Sequence, residues 1–357
     1  MPELILHIGT HKTGTTTVQR FLAANRDRLR DRGTWYPPAE LGGFPPHYAH
    51  HAIAHAIAER PGAGTRNDAT RFFSAVKRKS RAGERCLISA EPMYRHLIAP
   101  EGVAPSTRGI EPDEYSERVR RYATAVRECS DGFDVKILVM FRRQDLFVES
   151  LYAEQILATG YTRQIEAFVG ERQNMLDYRA RVEDWASVFG ADALSIDVFE
   201  SSLRETPIER RFLDWVGAPW DDDLTTSAAH NVTPPRALVE FKRFVNDPHQ
   251  GAEVSTKLRR WIEQLATLDA ADTESRLPDL GRYYLRPRDR ISLIRDVEAD
   301  NSEIAQRYLG RPNLFTDEVL DDLAGYVDRV GLRDIQFREL TKRLVHLATR
   351  EVLEADA

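Results

Sequence analysis

Cysteine is scarce: two residues in 357, Cys86 and Cys129. So sparse a pair builds no disulfide framework, and two reduced, buried thiols are expected. No apolar run approaches the length of a membrane-spanning helix. The first residues, MPELILHIG, lead straight into a loop, with no basic n-region and no cleavage site. A secretory signal is therefore not expected, and the cytoplasm is the default location. An excess of positive charge is missing too, because 50 Lys and Arg against 56 Asp and Glu leave a net charge of −6. Without sustained basic patches, a nucleic-acid partner is not expected. Internal repeats and low-complexity linkers are also absent.

What remains is an ordinary globular composition, with 42% hydrophobic and 30% charged residues. Glu3 to Ile8, Cys86 to Glu91, Val135 to Phe141 and Leu194 to Glu200 are short apolar runs of strand character. Helical patterns lie between them, over roughly 67–81, 113–129, 144–158 and 175–189. After the first strand, Val18, Phe21, Leu22 and Leu29 recur at helical spacing up to Gly33. Strands alternating with helices predict an α/β fold: a three-layer parallel sheet flanked by helices, ligands binding at the strand C-termini. Tyr36 to His55 and Pro100 to Pro112 read as irregular. From Pro234 to Glu354 the pattern is all helix, with breaks at Asp247-Pro248, Pro278 and Gly310. The expectation is one domain over 1–357, an α/β core to 227 and a helical C-terminal region over 228–357.

The segment GTHKTGTTT, Gly9 to Thr17, stands between the first strand and an amphipathic helix. Glycines allow close approach to a ligand, a helix N-terminus offers free N–H groups, and Lys12 adds a full charge. His11, Thr13, Gly14, Thr15 and Thr16 complete a loop of groups suited to an anion. In the common nucleoside-triphosphate loop a lysine follows the second glycine and a hydroxyl then ligates magnesium. Here Thr15 follows Gly14, which weakens a kinase or NTPase reading.

This loop resembles that of sulfotransferases using 3′-phosphoadenosine 5′-phosphosulfate (PAPS), approximately G-x-x-K-T/S-G-T-T after the first strand. The resemblance implies a P-loop-like fold, Lys12 on the bridging oxygen and 5′-phosphate of the donor, and no metal. It further implies a 3′-phosphate site built from an arginine ending a buried strand and a serine eight residues on. Arg142 and Ser150, followed by Tyr152, keep that spacing. A guanidinium fork and a hydroxyl suit a phosphate. Arg143-Gln144 stands where many members have Asp/Asn-Pro, which leaves Arg142 or Arg143 open. The specific resemblance covers about Leu4 to Tyr152.

Sulfuryl transfer needs a proton acceptor. Glu91, in LISAEPMYRH, is similar to the base in the E-K-S-P/A-x-Y segment of carbohydrate sulfotransferases, with the lysine and serine replaced. A helix-capping carboxylate is the alternative reading of Glu91, a strand-end glutamate followed by proline. The rival base is a histidine, His47, His50 or His51, and with His55 these also raise a metal site, though no paired cysteines or carboxylates support one. In the C-terminal third, His230 to Arg236 and Asn301, Ala305 and Tyr308 loosely fit closing segments of bacterial sulfotransferase-like proteins.

The sequence therefore predicts a PAPS-dependent sulfotransferase acting on a hydroxyl or amine of a small-molecule or carbohydrate acceptor. Lys12 and Glu91 are its catalytic candidates. A nucleotide-dependent P-loop kinase and a non-catalytic cofactor-binding protein of the same fold are the alternatives.

Overall fold

The computed structural model describes residues 1–100, 109–200, 206–226, 234–271, 280–316 and 334–355. From the N-terminus run β1 (Glu3–Gly9), α1 (Thr15–Ala24), α2 (Arg26–Asp31) and β2 (Thr34–Trp35). Then come α3 (His51–Ile57), α4 (Arg66–Lys79), β3 (Arg85–Ser89), α5 (Pro92–Arg95) and α6 (Pro112–Cys129). β4 (Asp134–Arg142) precedes α7 (Gln144–Ala158), α8 (Ile165–Glu171), α9 (Gln173–Leu176) and α10 (Tyr178–Phe189). β5 (Leu194–Phe199), α11 (Ile208–Val216), α12 (Arg236–Val245), α13 (Ala252–Ala271) and α14 (Pro287–Leu309) follow, and the last described helix is Asp334–Ala355.

The chain divides into two compact units. The first comprises Met1–Arg143, Gln173–Ala229 and Asp296–Asp317. The second comprises Gln144–Arg172, His230–Arg295 and Glu318–Ala357.

The first unit holds a parallel five-stranded sheet in the order β2-β3-β1-β4-β5. β1 is central, with Leu4 beside Cys86 of β3 on one side and beside Val135 of β4 on the other. Both of its faces are covered, which is why every residue from Leu4 to Gly9 is buried. Val18, Phe21 and Leu22 of α1 pack with Phe212 and Leu213 of α11 against Ile5, Leu87 and Leu138 of the sheet. At the end of β4, Phe141 stacks on Tyr178 of α10 with ring centroids 4.2 Å apart. Thr65 and Asp68 form a reciprocal capping box that starts α4. The α/β architecture and the helical C-terminal part agree with the sequence reading.

Three local details differ. The helix expected to reach Gly33 breaks at Asn25, whose amide donates to the carbonyls of Phe21 (2.8 Å) and Thr225 (2.9 Å) and accepts from Thr225 N–H (2.9 Å). Such a side chain competes with the helix ladder. β2 has two residues, too short for any periodicity to show. The segment read as irregular, Tyr36 to His55, runs into α3 from His51 onward. The expected break at Pro278 and residues 230–233 of HNVTPPR lie outside the described residues, as does most of the Pro100 to Pro112 loop.

The second unit is helical. Arg290 lies buried between Asp145 and Glu149 of α7, with Nη2 2.9 Å from Glu149 Oε1. That same oxygen accepts from the N–H groups of Tyr284 (2.8 Å) and Leu285 (2.7 Å). Buried Lys242 donates to the carbonyls of Ile156 (2.8 Å) and Thr159 (3.1 Å) and to Asn246 Oδ1 (2.7 Å). A cation there complements the C-terminal end of α7.

Candidate active site

The Gly9–Thr17 loop joins β1 to α1 at the C-terminal edge of the sheet. Three of its residues have left-handed backbone: Gly9 (φ 99°), Lys12 (φ 65°) and Gly14 (φ 77°). Two are glycines, and Lys12 pays the steric cost of a Cβ there. The loop is tied to β4, because Thr10 donates to the Met140 carbonyl through both its N–H (2.8 Å) and its hydroxyl (3.0 Å). Thr13 donates its hydroxyl back to the Thr10 carbonyl at 2.7 Å. That proton is thus committed to the loop itself.

Gly14 is the N-cap of α1, which has no side-chain cap and no acidic residue in its first turn. Its N-terminal N–H groups and dipole are accordingly not answered by a local carboxylate. Thr15 is buried, while Lys12, Gly14 and Thr16 are half-buried. His11 is buried, and burial, aided by the charge of Arg95, pushes its imidazole down to about 3. At neutral pH it is an uncharged member of the loop.

Glu91 follows β3 and lies against the loop. An alanine at position 9 would bring its Cβ to 2.7 Å from Glu91 Cβ. Glu91 is 7% exposed. Its Oε2 accepts from Gln19 Nε2 of α1 (2.7 Å) and from His51 Nε2 of α3 (2.7 Å). Burial alone would raise this carboxyl, but the hydrogen bonds from His51 and Gln19 prevail and hold it well below the usual carboxylate range. The result is an ionised carboxylate gripping an imidazole that is itself partly exposed.

The other histidines have partners of their own, and the His47 ring lies 5.6 Å from that of His51. His50 is buried, its Nε2 donating to the Pro37 carbonyl (2.8 Å) and its Nδ1 accepting from Ser89 N–H (3.1 Å). His47 Nδ1 accepts from Ala49 N–H (3.0 Å), and its ring stacks on Tyr48. His55 Nδ1 and His96 Nε2 lie 2.8 Å apart. Among the described residues no group of three His, Cys, Asp or Glu side chains is arranged to hold a metal ion.

Arg142 ends β4 and donates through Nη1 to the Lys12 carbonyl at 3.1 Å. Its guanidinium sits 5.9 Å from the centre of the Phe199 ring, and its own carbonyl accepts from the Tyr178 hydroxyl at 2.6 Å. Arg143 is buried, whereas Arg142 is half-buried. Ser150 is half-buried on α7, in the second unit. Asn301 and Ala305 are buried on α14, and Tyr308 is half-buried there.

The first unit thus brings His11, Lys12, Thr13, Gly14, Thr15, Thr16, Glu91 and Arg142 to one edge of the sheet. Gln19 and Tyr178 were not anticipated. Gln19 shows in the sequence only as a polar residue among the apolar positions of α1, and Tyr178 carries no motif at all. Chemically, the arrangement offers a cationic, N–H-rich loop for an anionic group beside a carboxylate–imidazole pair that can take a proton.

No family model and no curated protein matches this chain. Among solved structures the chain is similar to a sulfotransferase from Alicyclobacillus acidocaldarius, at 15% identity over 66% of this chain and 87% of that one, with a TM-score of 0.38. A likeness that distant decides neither family nor activity. Among the described residues no helix is long and apolar enough to cross a membrane.

Proposed function

We propose that this protein is a sulfotransferase that moves a sulfuryl group from PAPS to a hydroxyl or amine of a small-molecule or carbohydrate acceptor. The observation that carries the reading is the loop: Lys12 beside an α1 N-terminus with neither a side-chain cap nor a first-turn carboxylate, in a motif with no lysine after Gly14. Such a site suits a phosphosulfate without asking for magnesium.

The donor, when bound, supplies an activated sulfuryl group and a phosphate leaving group. Lys12 neutralises the charge that grows on the departing bridging oxygen. The N–H groups and hydroxyls of Thr15 and Thr16 hold the 5′-phosphate, and Arg142 reads the 3′-phosphate, for which the sequence pairs it with Ser150. The acceptor proton passes to the Glu91–His51 pair, with Glu91 as its anionic member. Carbohydrate leads among acceptors because of the Glu91 segment.

Incubation with PAPS and pooled acceptors, read by mass spectrometry, tests the proposal. Expected is a sulfuryl mass gain on one acceptor class, lost in Lys12→Ala. Phosphoryl transfer from ATP with magnesium would instead support a kinase. Tight nucleotide binding with no transfer to any acceptor would support a binding protein of the same fold.

A further inference from the structure

We infer that Arg142 is a positioning residue for Lys12: it holds the Lys12 backbone in its left-handed conformation through the Lys12 carbonyl, and so sets the loop before any ligand arrives. The inference deepens the sulfotransferase reading, and rests on it only for the ligand arm of the test below.

Lys12, at φ 65°, is one of two non-glycine residues with positive φ among the described residues, the other being Glu59. An L-residue with a full side chain does not rest there unless its surroundings impose the conformation. Around Lys12 the structure provides the constraint on both sides. Upstream, Thr10 is bonded twice to the Met140 carbonyl, and the Thr13 hydroxyl closes onto the Thr10 carbonyl at 2.7 Å. At Lys12 itself, Arg142 Nη1 donates to the carbonyl at 3.1 Å. Arg142 is in turn fixed at its own carbonyl by Tyr178, whose ring stacks on Phe141. Loop and strand end therefore form one braced unit, Tyr178 to Arg142 to Lys12, with Thr10 to Met140 as the second tie.

The consequence for chemistry is a division of labour within one guanidinium. A residue expected only to recognise the 3′-phosphate also fixes where the Lys12 side chain departs from the backbone. Donor recognition and leaving-group stabilisation then share a residue, so loss of Arg142 harms turnover beyond the loss of one phosphate contact.

Amide hydrogen exchange of the ligand-free protein, followed by mass spectrometry on peptides covering residues 9–21, tests this directly. If Arg142 braces Lys12, Arg142→Ala speeds exchange there by roughly tenfold, as a left-handed residue released from its brace relaxes. Arg142→Lys, which keeps a donor of similar reach, restores most of the protection. In a Lys12→Gly background, where glycine adopts positive φ without strain, Arg142→Ala adds little. The ligand arm compares adenosine 3′,5′-bisphosphate with adenosine 5′-phosphosulfate, which lacks the 3′-phosphate. Bracing predicts that Arg142→Ala weakens both by at least about fivefold, since the loop serves both. Unchanged exchange, with weakening confined to the bisphosphate, would overturn the inference and leave Arg142 as a phosphate reader alone. Failure of the wild-type protein to bind either nucleotide would defeat the sulfotransferase reading, while the exchange result would still decide the bracing.

Discussion

His51 Nε2 lies 2.7 Å from Glu91 Oε2, so two residues that the sequence offers as rival bases form one hydrogen-bonded pair. The carboxylate is buried and also held by Gln19, and the imidazole is its partly exposed partner. Substituting either member should therefore injure the same step. Glu91→Gln and His51→Asn are each expected to lower kcat by about 10²- to 10⁴-fold, the usual range for loss of a general base or its support. Affinity for adenosine 3′,5′-bisphosphate should stay near wild type. Near-normal turnover in both variants would remove the pair from the chemistry. His50, with both ring nitrogens bonded to backbone, should instead affect stability when replaced.

Acid should unfold the protein early. Burial, ahead of every other influence, holds His7 and His50 down to about 4 and His96 down to about 3. In the unfolded chain these residues titrate near 6.5. A folded pKa below the unfolded one gives stability that is complete above about pH 6.5 and is lost as pH falls toward the folded value. Each such histidine costs about 1.4 kcal/mol per pH unit across that window. Glu91, held ionised, adds a loss in the same direction below its unfolded pKa, near 4.3. Melting temperature should fall steadily from pH 7.5 to 4.5, and a flat profile between pH 7 and 5 would contradict the burial of neutral imidazoles.

Gly9 is required twice over. Its φ of 99° is unfavourable for any side chain, and a Cβ there would meet Glu91 Cβ at 2.7 Å and Glu91 Cα at 2.9 Å. Gly9→Ala is expected to cost roughly 2–4 kcal/mol in unfolding free energy, from strain and overpacking together. It should also reduce activity by displacing Glu91. Chemical denaturation checks the first effect, and turnover at a temperature where the variant is folded checks the second.

In the second unit, Arg290→Met leaves Asp145 and Glu149 buried without their cation. Breaking a buried ion cluster in this way costs about 3–5 kcal/mol. The same denaturation series measures it, and a loss below about 1 kcal/mol, as for an exposed pair, would show that the cluster is solvated.

Much of the fold was legible because the four long strands are apolar runs bounded by polar or glycine-containing segments. β2 was hidden by its length of two residues, and the helix break at Asn25 depends on Thr225, which no local pattern reveals. The loop was legible as a motif because its chemistry is local, from Gly9 to Thr16. The Glu91–His51 pair was not, since it joins the end of β3 to α3 across forty residues. The four histidines between His47 and His55 looked interchangeable in the sequence. Only the partners of His50 and His51, a backbone in one case and a carboxylate in the other, set them apart. Nor did spacing hint that Arg142 would reach back to the Lys12 carbonyl.

The most direct measurement is calorimetric titration of adenosine 3′,5′-bisphosphate in the presence of a metal chelator, beside AMP and beside ATP with magnesium. The loop and Arg142 predict tight, metal-independent binding of the bisphosphate and much weaker binding of AMP, with stabilisation of about 2.7 kcal/mol at 100 times the dissociation constant. Lys12→Ala should weaken it. Binding of ATP with magnesium as tight as or tighter than that of the bisphosphate, or no binding of the bisphosphate at all, would contradict a PAPS-dependent sulfotransferase.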